Sequence, residues 1–253
     1  MTAGLLALCA AVSPVRAEPV PAPDHSLAIQ KYLDAGVPPI DKPWTPEEFR
    51  KAAKVLEDMA AKDVTQLPRY NSKASGVLFA HIIAQENLYG FANKDIPVDT
   101  RIKLVNDAAA YLPLFVLYTH SVSTERTFDA EMLELGGFIL RMEMAESGVF
   151  GEFMAAHPEK KDDARTQAGF VQMRDSVERT AGALLDLMMD RTYVRTAEAT
   201  RFARELNDNL PRLQAAITPE AQGRLKAQFK QAAANEPDKG LKTALTDLAG
   251  AMK

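Results

Sequence analysis

The chain carries one cysteine in 253 residues, Cys9, and that scarcity excludes several chemistries together. A lone thiol cannot close an intramolecular disulfide, hold an iron–sulfur cluster or supply the thiolate set of a structural zinc site. Its position takes away more. Cys9 lies in the apolar run Leu5-Leu6-Ala7-Leu8-Cys9-Ala10-Ala11-Val12, followed by Pro14 and then Val15-Arg16-Ala17. Small residues one and three positions before Glu18 suit a signal peptidase, so residues 1–17 read as an export signal cleaved between Ala17 and Glu18. On that reading the working protein is cysteine-free, and cysteine nucleophiles and covalent C-x-x-C-H haem attachment are excluded as well. The run has no Lys or Arg before its apolar core, where signals usually have one. It is also too short for a lasting membrane span, which needs about 20 apolar residues.

Excess charge of one sign is missing too. Lys and Arg number 30 against 34 Asp and Glu, a net charge of -4. Arg16 is the only charged side chain in the signal, so the remainder is slightly more acidic still. With no basic block, the chain has no electrostatic footprint for nucleic acid or anionic membrane. Strand signals are equally absent: no Asn-Gly or Asp-Gly hairpin turn occurs, and no sustained alternation of apolar and polar residues.

What remains is helical. With 47% hydrophobic residues the chain can bury a core without disulfides. The pattern predicts an all-α protein, an irregular multi-helix bundle of about nine helices without a repeat period. Eight of the 15 prolines lie before residue 47, which sets off a Pro-rich arm over residues 18–44 from a single helical domain over residues 45–253. That domain opens on Thr45, Pro46 and Glu48, a capping box with Pro at the first helical position, stapled by Trp44 and Phe49. The sole tryptophan is thereby assigned to structure.

Helical spacing predicts further helices over residues 72–89, 99–112 and 127–146, with Pro113 kinking or restarting the second. In the third, Phe128, Met132, Leu135, Ile139 and Met142 form a stripe that demands a partner helix. Gly148 and Gly151 predict a turn with a short helix over residues 147–157. Pro158 opens a long helix to about residue 190, with Phe170, Val177, Leu184 and Arg191 at seven-residue spacing. A break near residues 192–196 precedes a helix carrying Phe202, Leu206 and Leu210. Thr218-Pro219-Glu220 starts another, and a last one covers residues 237–249.

Candidate chemistry is sparse. Of the four histidines, His25 lies in the arm, and His120 and His157 lie near predicted helix ends. His81 sits inside the apolar helix 72–89, with Gln85 one turn on and Glu86 beside it. These three are weak catalytic candidates; a satisfied structural network is the simpler reading. Glu131 and Glu134 are a second weak pair, beside Gly136-Gly137. A solvated face with Arg141 as local partner explains them more simply than a cation site, and the glycines imply a bend or the close approach of another backbone. Neither Glu-x-x-His, H-E-x-x-H, an EF-hand loop, a phosphate-cradling Gly-rich loop nor G-x-S-x-G is present. Met142, Met144, Met154, Met173, Met188 and Met189 read as core filling rather than copper or haem ligands. No metal or other cofactor is implied.

The sequence thus predicts an exported, periplasmic or secreted helical protein of a bacterial cell envelope. Its role reads as non-catalytic binding or protein interaction, with an envelope protein, a peptide or a small apolar ligand as partner. The alternative is an enzyme or cofactor-binding bundle with a polar site around His81, Gln85 and Glu86.

Overall fold

The computed structural model describes Glu47, Lys54 and residues 93–109, 129–160, 162–192 and 194–252. The export signal, the Pro-rich arm, the capping box at Thr45, the helix 72–89 and Pro113 lie outside the described residues, as do His25, His81, Gln85, Glu86 and His120. All the regular structure among the described residues is helical, with no strand. Seven α-helices are seen: α1 (Val98–Ala109), α2 (Asp129–Ala156), α3 (Ala164–Met189), α4 (Thr196–Asp208), α5 (Leu210–Ala216), α6 (Pro219–Asn235) and α7 (Lys239–Ala251). A 3-10 turn, Pro158–Lys160, joins α2 to α3. None of these helices is long and apolar enough to cross a membrane.

The 28-residue α2 is the axis of the packing, touching α1, α3, α4 and α5. Its contacts with α3 recur every seven residues. Gly136 faces Leu184, Glu143 bonds Ser176, and Phe150 stacks on Phe170 with centroids 5.3 Å apart. Numbers rise along one helix as they fall along the other, so the two run antiparallel, in the register of a short coiled-coil seam. The heptad Phe170, Val177, Leu184 is the α3 half of that seam, and Val177 and Leu184 are buried in it. On the far side of α3 lies α6, where Arg224 meets Glu178 and Gln228 lies beside Gly182. These two helices run parallel. A common core binds α2 to α7, with Leu133, Leu184, Phe202, Leu213, Phe229 and Leu245 among its members.

Helix starts follow the side chains present. Asp163, Thr218 and Asp238 each accept a backbone N–H at the head of α3, α6 and α7, contacts worth about 1 kcal/mol apiece. Three expectations are corrected. Residues 147–157 do not form a turn: α2 continues to Ala156, because Val149 and Met154 are buried and Ser147 bonds the Ala216 carbonyl at 3.0 Å. Burial there offsets the cost of about 1 kcal/mol per helical glycine. Pro158 opens only the 3-10 turn, and α3 waits for the cap at Asp163. Leu210 does not continue the helix of Phe202 and Leu206; Asn209 ends α4, its side-chain amide donating to the Glu205 carbonyl, and Leu210 begins α5 with Pro211 in its first turn. The break expected near residues 192–196 is present.

Candidate functional site

The α2–α3 seam contains the described feature least explicable by folding alone. Its middle position on α2 is filled by Glu143 instead of an apolar residue, and Glu146 follows one turn later on the same side of the helix. Both are interior, Glu143 7% and Glu146 4% exposed. Ser147 is buried beside them, its hydroxyl spent on the Ala216 carbonyl.

The two carboxyls have different surroundings. Glu143 accepts a hydrogen bond from the Ser176 hydroxyl at 2.7 Å through Oε1, and the Thr180 hydroxyl also favours its ionised form. Its Oε2 has no partner among the described residues, and neither has Oε1 of Glu146. Burial raises the pKa of Glu143 above the usual carboxylate range despite the two hydroxyls and the attraction of Arg179. Burial acts unopposed on Glu146, and with the charge of Glu143 beside it pushes its carboxyl up to about 8. Two carboxyls held at different proton affinities by their environments are what acid–base and proton-linked sites are built from. Of the two, Glu143 is the better supported as an ion and Glu146 as a neutral acid.

Around the seam the remaining charges are engaged elsewhere. Arg174 of α3 donates to the Ile217 carbonyl and lies over the Phe170 ring, 5.4 Å from its centroid. Arg101 of α1 is buried, bonding Glu152 and the Ile96 carbonyl. His157 bridges Asp99 at the start of α1 and Glu159 in the 3-10 turn, at 2.8 and 3.2 Å. Both acids raise its pKa, the bond to Asp99 most.

The candidates drawn from the sequence fall differently. His81, Gln85 and Glu86 are outside the described residues, and so is the side chain of Glu131. Glu134 does not lie on a solvated face with Arg141: its side chain is only 12% exposed and pairs with Arg201 of α4. Arg141 instead bonds Glu205 at 2.8 Å. Residues 134 and 141 are about 10 Å apart along a helix axis, so each finds its opposite charge across the interface. Gly136 and Gly137 make room for side chains, not for a backbone. A Cβ on Gly136 would stand 2.5 Å from Leu184 Cδ2, and one on Gly137 2.6 Å from Phe202 Cε2. Met142, Met144, Met154 and Met188 are core residues. No group of three or more His, Cys, Asp or Glu among the described residues is placed to hold a metal ion.

A second feature lies on the surface. Between α3 and α6 runs an open groove of about 990 Å³, lined by Val171, Asp175, Gly182, Ala183, Asp186 and Gln228 among others. Val171, 55% exposed, is the only exposed large hydrophobic side chain among the described residues. Arg224 clamps Glu178 through two bonds of 2.6 Å and so ties the two walls together. Comparison with protein-family models, curated proteins and solved structures finds no match for this chain.

Proposed function

We propose that this is an exported, non-catalytic binding module of a bacterial cell envelope, periplasmic or secreted, and that the α3–α6 groove holds an amphipathic helix of an envelope protein. The groove carries the reading: two parallel helices wall a trough whose lining includes small residues, Gly182 and Ala183, and an exposed Val171 at one end. Small residues let a third helix approach closely, and an apolar anchor gives it a point of purchase. Charge selects the partner. Asp175 and Asp186 stand three helical turns apart along the trough, while Arg224 is occupied by Glu178. A helix with Lys or Arg along its edges complements that pattern.

The test begins in the native host with a photo-crosslinking residue at Val171 and, as a control, at the exposed Thr246 on α7. The expected result is a mature N-terminus at Glu18 and a position-171 adduct to a basic-edged helical segment. A synthetic peptide of that segment should then bind the parent and lose about tenfold in affinity to Val171→Glu, about 1.4 kcal/mol. Identical adducts from both positions would overturn the groove, and an intact N-terminus in the cytosol would overturn export. A small apolar molecule co-purifying with the parent but not with Val171→Glu would replace the helix as ligand.

A further inference from the structure

We propose that Glu143 and Glu146 form a proton-binding site inside the α2–α3 seam, with Glu146 as the neutral acid and Glu143 as the ion when the helices are closed. The inference stands on burial and on the unequal supply of donors. Glu143 receives the hydroxyl of Ser176 and is favoured as an ion by that of Thr180; Glu146 receives no donor among the described residues and is more than nine-tenths buried. A second carboxylate ion at Glu146 has no donor among the described residues and stands one turn from a like charge, so opening the seam to water is its route to stability. A neutral acid there needs no counter-charge.

The described elements packed on α2 supply none to Glu146. From α3, Arg179 is exposed and attracts Glu143, while Arg174 is held at the Ile217 carbonyl. From α1, Arg101 is bound to Glu152. From α4, Arg201 pairs with Glu134 and Glu205, and the other pair of that interface is Arg141 with Glu205. From α5 comes the Ala216 carbonyl, already bonded by Ser147. Glu159 of the 3-10 turn faces His157. Among the described residues the charge acting on Glu146 is thus Glu143, and it favours the proton.

The sign of the pH effect follows. An unfolded glutamate releases its proton near 4.5, whereas the folded Glu146 keeps it to about 8. Between those values the folded state binds a proton that the unfolded state does not, so stability falls as pH rises across the window and levels off above it. This slope is opposite to that of a carboxylate whose pKa is lowered on folding, such as Glu152 or Glu178.

Thermal unfolding of the full chain from about pH 5 to about pH 8.5, in parent and Glu146→Gln, tests the proposal. The parent Tm should fall by about 5 °C or more, and Glu146→Gln, which mimics the neutral acid, should lose most of that slope. The raised pKa of His157 also lowers stability as pH rises, so the difference between the two proteins is the readout. Carboxyl-carbon NMR of the glutamate-labelled parent provides a second measurement that needs no variant: one glutamate should titrate far above the rest. Equal slopes in the two proteins, or no glutamate titrating above about pH 6, would overturn the site. So would a rise in Tm with millimolar Ca²⁺ or Mn²⁺ at about pH 8 seen in the parent and lost in Glu146→Gln, which would make it a cation site.

Discussion

Glycine has opposite meanings at three positions of α2. At Gly137 the absent side chain leaves space for the ring of buried Phe202, which has little freedom to withdraw. Gly137→Ala should therefore destabilise by about 1–3 kcal/mol in a denaturant titration, the clash exceeding the gain in helix propensity. At Gly136 the obstacle is one methyl of Leu184, and the loss should be smaller. Gly148 is exposed with open space around it, so Gly148→Ala should stabilise by up to about 1 kcal/mol. The order of the three midpoints checks the packing of α2 directly. A sequence reader sees three glycines and infers a bend or a turn; the difference resides in neighbours some 50–70 positions away along the chain.

Among the elements, α3 was the more legible half of its seam and α2 the less. Phe170, Val177 and Leu184 announce a heptad because apolar residues hold its positions. The facing positions on α2 are Gly136, Glu143 and Phe150, and two of the three give no hydrophobic signal. The acid pair is hidden for the same reason. Met142-Glu143-Met144-Ala145-Glu146 reads as amphipathic, whereas every residue in it except half-buried Ala145 is buried. A usable clue was the run of apolar residues on both sides of these acids, Ile139-Leu140 before and Val149-Phe150 after. The caps were legible where the residue type decides, as at Thr218, and less so at Asp163, where Pro158 offers an earlier start. Removing a cap should be local: Asp238→Ala should cost about 1 kcal/mol and speed amide exchange in the first turn of α7.

The joint between α1 and α2 has its own pH dependence. The pKa of His157 is raised by Asp99 and Glu159, so its bridge is fully made below the ordinary histidine value of 6.5 and is lost as pH rises through the higher folded value. Amide exchange in α1 should quicken beyond the chemical rate as pH rises above 6.5 and through the higher folded value, and His157→Gln should remove that difference. The Arg101–Glu152 pair holds the same joint, and the bond from Arg101 lowers the pKa of Glu152, so α1 should loosen without leaving.

For the whole molecule, cohesion comes from helix packing. A single cysteine leaves no intramolecular disulfide to reduce, and the unfolding midpoint should be the same with and without a thiol reductant. The fold class was open to sequence reasoning because helical periodicity recurs from one end of the described region to the other. The positions of helix ends were not, since α2 passes through Ser147 and Gly148 on the strength of contacts with α5 and the core.

The glycine pair in α2 also bears on how the helices find each other. Gly136 receives Leu184 from one neighbour and Gly137 receives Phe202 from another, so two notches on adjoining faces are keyed to two different helices. A slip of α2 by one turn, about 5.4 Å, would bring Leu140 or Met132 to the first notch and Arg141 or Leu133 to the second. Neither helix could then seat. Such a lock fixes alignment and rotation at once, and it narrows the compact arrangements that can compete with the native one.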